Sequence, residues 1–183
     1  GSVCHYSWYV PHDVAGLVER MGGKAEFEHR LDMMFALNDS SSAARLLYWH
    51  GNEPCHQIPF LYSYIGKPEK TKRVVDNILK TEYNDTPGGL SGNDDAGQMS
   101  AWYMFAAMGF YPVCPSTPYY IIGSPSFDRV TFNLENKKQF EIIRQKSINN
   151  SNFVRLILNG KQLDNCHLSH GDIINGGKLI VEE

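Results

Sequence analysis

The sequence has little of three features that mark common protein classes. Its 4 cysteines, Cys4, Cys55, Cys114 and Cys166, lie far apart and never form a C-x-x-C pair, so neither a disulfide framework nor a zinc ribbon is expected. No apolar run approaches the roughly 20 residues that span a bilayer. With 17 basic and 20 acidic residues there is no excess of positive charge. We therefore expect no nucleic-acid partner and no membrane partner.

The chain does contain enough apolar surface for a real core. Hydrophobic residues make up 42% of it, including 9 Phe, 10 Tyr and 3 Trp, which argues against disorder. It opens Gly1-Ser2, with neither a Met nor a charged-then-apolar leader, so its natural beginning is expected upstream. Three cysteines directly precede a histidine, but sequence neighbours rarely ligate one metal ion. A zinc-stabilised structural domain is therefore the weakest hypothesis.

The first 118 residues show a helical pattern. Asp13 can cap a helix that Gly22-Gly23 ends, and a second helix begins at Lys24 with an apolar stripe. Pro68 is suited to the first turn of another helix. The remaining predicted helices are a short one over 40–48, one that begins at Pro54 and ends at Gly66, and the apolar helix 98–108, which Gly109 ends.

After Pro118 the apolar period falls to two, which predicts strands. Asn159-Gly160 is typical of a tight hairpin turn. Helices followed by strands, without alternation, predict an α+β fold with a helical part at 1–118 and antiparallel strands at 119–183. The predicted strands are 119–122, 130–134, 140–145, 154–158, a piece near Leu168, and 179–182.

Three loops in the helical part are rich in His, Asn, Asp and Glu: 8–13, 50–56 and 93–95. From His12 to Asn52 and on to Asp94 the intervals are 40 and 42 residues. If helices between these loops run out and back in pairs, every second loop returns to the same end of a helical bundle or toroid. The spacing therefore favours a single site that all three loops line at one end of the bundle or toroid. The alternative is that the loops are polar only because loops in general are polar.

The loop 93–95 has the strongest functional signal. Asp94 and Asp95 are adjacent carboxylates that repel each other, and free N–H groups at the start of the following helix would offset that repulsion. Four glycines at 88, 89, 92 and 97 indicate a surface that another group approaches closely. The alternative is a capped helix with a solvated pair of aspartates.

The other two loops offer metal and sugar ligands. Asn52 and Glu53 carry oxygen donors that suit Ca²⁺, whereas zinc would favour more His or Cys. Glu53 could instead simply complement a helix dipole. Trp8 stands close to His12 and Asp13, which is typical of sugar sites, although aromatic residues more often pack in a core.

At these loops the sequence resembles a known family. WYVPHD, HGNEP followed by His56, GNDDAGQMSAWYMFAAMGFYPVCP and IIGSPSFDRV are similar to the C-terminal part of the catalytic domain of glycoside hydrolase family 92. The resemblance runs from about Tyr6 to the end. It implies a fragment of a bacterial, calcium-dependent exo-α-mannosidase that inverts anomeric configuration, with α-1,2 linkages and N-glycans as expected targets.

The resemblance also implies an architecture and a location. The chain would supply the closing helices of an (α/α)6 toroid and a small antiparallel β region, and an N-terminal β-sandwich would complete the protein. A periplasmic, cell-surface or secreted location is expected. A fragment of this kind would expose apolar surface, which favours self-association.

Residue roles follow from the resemblance. The general base would be Asp95, or else Asp94, and the calcium ligands Glu53, Asn52 and Asp95. The acid, a Glu expected before Ser2, is absent, so the chain alone should be inactive. A non-catalytic carbohydrate-binding or structural remnant of the fold is the alternative. The substrate-binding residues would be Trp8, His12, Asp13, His50, His56 and Asn93.

Overall fold

The described chain is helical up to Met108. The structure, a computed structural model, describes residues 2–35, 47–146 and 154–183. Single 3-10 turns at Pro11–Asp13, Glu53–Cys55 and Ile58–Phe60 lie between the helices. The helices are α1 (Val3–Tyr6), α2 (Val14–Arg20), α3 (Lys24–Met34), α4 (Leu61–Tyr64), α5 (Pro68–Thr81) and α6 (Gln98–Met108).

Local sequence signals explain most of these helices. The Asp13 carboxylate accepts a hydrogen bond from Gly16 N at 2.9 Å, which caps α2 as predicted. The stripe on α3 is buried, and α5 begins at Pro68 and buries Val74, Val75 and Ile78. Gly109 ends α6 in the left-handed conformation at φ 93°, which a residue without Cβ adopts at little cost.

The helix predicted from Pro54 to Ile65 is wrong in part. The segment forms two 3-10 turns and then α4, which is only one turn long. Pro59 lies within it, and because proline has no N–H group and restricts the residue before it, a continuous α-helix cannot pass through. Of the helix predicted over 40–48, residues 40–46 lie outside the described residues, and Leu47 and Tyr48 are not helical.

Strands dominate the rest of the described chain, as predicted. A three-stranded antiparallel sheet has the order β1-β2-β7, and a five-stranded sheet has the order β3-β4-β8-β5-β6. A further helix, α7 (His170–Ile174), was not predicted. The strands are β1 (Phe110–Tyr111), β2 (Tyr119–Ile122), β3 (Arg129–Asn133), β4 (Gln139–Gln145), β5 (Arg155–Leu158), β6 (Lys161–Gln162), β7 (His167–Ser169) and β8 (Gly177–Glu182).

Turn chemistry and chain path set the register of the larger sheet. Asn159 and Gly160 both have positive φ, 49° and 82°, which is the geometry of the tight turn predicted between β5 and β6. One ladder departs from the expected antiparallel arrangement, since β4 and β8 are parallel. A parallel pair needs a long crossover, and β5, β6, β7 and α7 together supply it.

Two apolar clusters form the core of the described residues, one among the helices and one on the sheets. They interlock near Gly109: Phe110 belongs to the sheet cluster, whereas Ile121 of β2 belongs to the helical cluster.

The division at residue 118 into two domains stays a prediction. Within the described ranges, no helix is long and apolar enough to cross a membrane.

Candidate active site

Two contacts join the three polar loops. The side-chain nitrogen of Gln57 donates to the backbone carbonyl of Trp8 at 3.3 Å, which ties the first loop to the second. The second and third loops touch through glycine, since a methyl group added to Gly92 would lie 2.8 Å from the carbonyl oxygen of Gly51. Only a residue without Cβ permits this approach. The loops therefore form one continuous region.

The third loop enters α6 through an unusual turn. Asp95, Ala96 and Gly97 follow one another in the left-handed region, with φ values of 46°, 56° and 95°. Left-handed residues other than glycine cost free energy, and they cluster at functional sites where the surrounding structure compensates for the strain. Backbone hydrogen bonds from Gln98 N to Asp95 O and from Met99 N to Asp94 O, both 3.2 Å, close the turn.

The two adjacent carboxylates of this turn have different surroundings. Asp94 accepts hydrogen bonds from the backbone N of Ser100 at 3.0 Å and from its hydroxyl at 2.8 Å, so it caps α6. Asp95 is exposed, and no side chain among the described residues hydrogen-bonds or ion-pairs with its carboxylate. Asn93 is exposed as well. Both hydrogen bonds to Asp94 go to its Oδ1 atom, so Asp95 is the less engaged of the two candidate bases, and its role as the base stays a prediction.

Beneath the turn, His50 is buried in a fixed protonation state. The Tyr83 hydroxyl donates its single proton to Met99 O at 3.1 Å, so it must accept from His50 Nε2 at 2.6 Å. His50 Nδ1 is then the acceptor for the Tyr48 hydroxyl at 2.8 Å. Burial, together with the proximity of His56, lowers the pKa of His50 to about 3. The ring is therefore neutral at physiological pH.

The neighbouring His56 connects the second loop to α6. Its Nε2 donates to His50 O at 3.0 Å, and its Nδ1 accepts from the side chain of Gln98 at 3.2 Å. The Trp102 indole N–H donates to His56 O at 2.8 Å. Burial lowers the pKa of His56, which keeps this ring neutral as well.

Several predicted substrate-binding residues are thus held by the protein itself. All four ring nitrogens of His50 and His56 have protein partners, and Trp8 is buried with its ring edge-on to Phe27 at 5.2 Å. His12 and Asp13 line a separate cleft between the helices and β2, whose walls include no residue of 50–56 or 93–95. Direct contact of these five residues with a sugar stays a prediction.

The oxygen donors proposed for calcium are uncommitted. The amide nitrogen of Asn52 donates to Cys55 Sγ at 3.4 Å, and its side-chain carbonyl oxygen has no hydrogen-bond partner among the described residues. The carboxylates of Glu53 and Asp95 have no side-chain partner among the described residues. Oxygen donors of this kind suit Ca²⁺, which also accepts waters and substrate hydroxyls. No group of three or more His, Cys, Asp or Glu in the described ranges could hold a metal by itself.

The cysteine environments argue against zinc. Burial raises the pKa of the Cys55 thiol, and it raises that of Cys166 to about 11. A zinc site also needs several such ligands close together, and the described residues contain no group of three or more His, Cys, Asp or Glu that could hold a metal ion. The Cys-His pairs therefore lend no support to a zinc-stabilised domain.

Comparison with known proteins identifies the class as a glycoside hydrolase catalytic domain. The model of the family described as "Glycosyl hydrolase family 92 catalytic domain" matches residues 1–182. The chain belongs to this family, which confirms the resemblance seen in the loop motifs.

Similar proteins are considerably longer. A solved family 92 α-mannosidase from Bacteroides thetaiotaomicron is 42% identical, with a TM-score of 0.84, over 100% of this chain and 24% of its own. A family 92 inverting mannosidase from the same organism is 37% identical, with a TM-score of 0.84, over 100% and 27%. An uncharacterized secreted glycosidase from Arthroderma benhamiae is 32% identical over 94% and 22%. The chain thus spans about a quarter of the length of these relatives.

Sequence reasoning missed the groups that hold the loops: Tyr48, Tyr83, Gln98 and Trp102. One signal was available for Gln98, which is a polar residue at the first position of an otherwise apolar helix. No local pattern marks the tyrosines, because their partner His50 lies in another segment and a tyrosine ordinarily packs without such a partner.

Substituting Tyr83→Phe should destabilise the protein. The change leaves the buried Nε2–H of His50 without an acceptor, which costs about 1–3 kcal/mol. The matched control Tyr103→Phe removes the hydroxyl of a tyrosine that is 39% exposed, and should change stability by no more than about 0.5 kcal/mol. Chemical denaturation of the full-length protein measures both. Equal effects of the two substitutions would contradict the assigned hydrogen-bond network.

Proposed function

We propose that this chain is part of a calcium-dependent exo-α-mannosidase that releases terminal mannose from glycans with inversion, with α-1,2 linkages as the expected target. The observation that carries the proposal is the carboxylate of Asp95, which has no side-chain partner among the described residues. Asp95 lies on a strained turn next to Asp94, whose carboxylate caps α6. Support for the substrate class comes from relatives named as α-mannosidase and as inverting mannosidase. A non-catalytic carbohydrate-binding remnant is the alternative.

Inversion in one step defines what the site must supply. A protonated acid gives its proton to the leaving-group oxygen, while a carboxylate on the opposite face of the sugar takes a proton from the attacking water. Asp95 performs the second task in this proposal, because it is exposed and its carboxylate has no side-chain partner among the described residues. The acid would come from the chain upstream of Ser2.

The buried histidines position the second loop in this proposal. Their neutral rings and hydrogen bonds hold residues 50–56 against α6, which orients Asn52 and Glu53. These two residues, with Asp95, would hold Ca²⁺ through oxygen atoms. When bound, the ion would supply positive charge that orients sugar hydroxyls.

The remaining partners are proposed on similar grounds. The relative from Arthroderma benhamiae is named as secreted, and we propose that this protein is exported too. An N-terminal β-sandwich would complete the pocket. Large apolar side chains exposed in the described part of the chain, including Trp49 at 47% and Met104 at 57%, support contacts with such missing parts or self-association of the fragment.

Substituting Asp95→Asn tests the general base. In the full-length protein the change should lower kcat for an α-mannoside on the order of 10²–10⁴-fold, because an amide cannot accept the proton of the attacking water. The matched control Asp94→Asn keeps an oxygen that can still accept from Ser100 N, so activity should fall far less. An active wild type with an equally active Asp95→Asn variant would contradict the assignment. An inactive wild type that binds mannosides would favour the non-catalytic alternative.

Removing divalent cations tests the metal. Chelator treatment of the full-length protein should abolish hydrolysis, and Ca²⁺ should restore it, because the uncommitted donors are all oxygens. Restoration by Zn²⁺ alone, or full activity in chelator, would overturn the calcium proposal. Direct titration of calcium by calorimetry, with Glu53→Gln as the variant expected to bind it more weakly, gives a readout that does not depend on activity.

The isolated 183-residue chain should release no mannose. It holds the proposed base but not the proposed acid, and an inverting mechanism needs both. Mannose release from an α-mannobioside, measured against the full-length protein at equal concentration, checks this. Turnover by the isolated chain at a similar rate would show that the acid lies within these residues.

A further inference from the structure

The cleft that His12 and Asp13 line lies where the helical part meets the three-stranded sheet. Its volume is about 210 Å³, and its walls come from the turn Pro11–Asp13, the end of α4, the segment 113–117 and strands β2 and β7. It shares no lining residue with 50–56 or 93–95. The mechanism proposed above assigns no step to any of its walls, although the family resemblance predicts sugar contacts for His12 and Asp13.

Aromatic rings form one wall of this cleft. The His167 imidazole on β7 meets the ring of Tyr64 edge-on at 5.5 Å and the ring of Tyr119 edge-on at 6.3 Å. Tyr119 stands at the start of β2 with 51% of its surface exposed. Its ring is therefore available to a ligand, since flat aromatic surfaces at the edge of a cleft pack well against the C–H faces of sugars.

The polar groups of the cleft suit a neutral ligand. No hydrogen bond to the His167 ring is present among the described residues, and burial lowers the pKa of this histidine, so it offers one donor and one acceptor. Asp13 accepts from Gly16 N with one oxygen and retains the other. His12 contributes a second imidazole. The cleft thus contains both donors and acceptors, as hydroxyl groups require.

Charge and ligand count exclude two other ligand classes. No Lys or Arg lines the cleft, and it contains a carboxylate, so an anion such as phosphate would find no positive partner. The described residues provide no group of three His, Cys, Asp or Glu, and this holds for the cleft as well, so it offers no zinc-type site built from such ligands. An uncharged ligand therefore fits the cleft better, and its aromatic wall with both donors and acceptors favours one that carries hydroxyl groups.

We propose that this cleft is a second, non-catalytic carbohydrate site that binds one hexose unit of a glycan against Tyr119 and His167. The proposal rests on the proposed function only for the choice of mannose as the sugar. A site of this kind would hold a branched or long glycan while the catalytic loops act on one end. Binding at two points raises the effective concentration of the glycan at the catalytic site.

A photoreactive α-mannoside that carries a diazirine tests the proposal in the full-length protein. The Asp95→Asn background slows turnover, and mass spectrometry maps the labelled residues. Labels are expected on the segments that contain Tyr119 or His167, and excess methyl α-mannoside should compete for them. Tyr119→Ala should weaken the labelling of these segments about tenfold, which corresponds to about 1.4 kcal/mol. Tyr103→Ala, which removes an exposed tyrosine outside the cleft, is the matched control.

The outcomes separate this site from the catalytic one. Absence of competed label in the cleft, or label that Tyr119→Ala leaves unchanged, overturns the proposal. If Tyr119→Ala fails to fold, His167→Ala takes its place under the same criteria. Hydrolysis by the wild type without labelling of the cleft would leave the proposed function standing and remove the second site. Labelling of the cleft, together with a wild type that hydrolyses no mannoside, would support the second site and contradict the proposed function.

Discussion

Burial of Trp102 beneath the polar loops is the interaction on which the candidate site depends. Its ring is fully buried and lies edge-on to His50 at 4.3 Å, while its indole N–H donates to the backbone carbonyl of His56. Tyr83 stacks parallel to it at 6.1 Å, and Phe60 meets it edge-on from the helical core. One side chain of α6 therefore joins the apolar core to the loop that carries the oxygen donors.

This arrangement explains how polar groups are tolerated so deep in the core. A buried imidazole costs little only if it is neutral and both of its nitrogens are satisfied, and His50 and His56 meet both conditions. The rigidity that results offsets the strain of the left-handed turn at 95–97. Asp94 helps from the other side by capping α6. Asp95 is thus left exposed on a backbone that its neighbours hold in place.

Predictions from local sequence patterns agree with the structure where neighbouring residues alone determine the feature. Asp13 caps the helix that follows it, Gly109 ends α6, and Asn159-Gly160 turns between β5 and β6. The helix predicted from Pro54 is wrong in part because Pro59 interrupts the segment whose apolar spacing suggested one continuous helix. The parallel pairing of β4 with β8 could not be predicted, because four intervening elements determine where β8 lies.

By itself, the sequence determined the family, the change from helices to strands and the three polar loops proposed to form the site, because motifs, capping residues and apolar period are local properties. Tertiary structure alone decided which of two adjacent aspartates caps α6, since that depends on Ser100. It also decided that His50 and His56 face the protein and that His12 lines a cleft with His167. Such assignments depend on partners from distant segments of the chain. Packing brings these partners together, and no local sequence pattern indicates the contact.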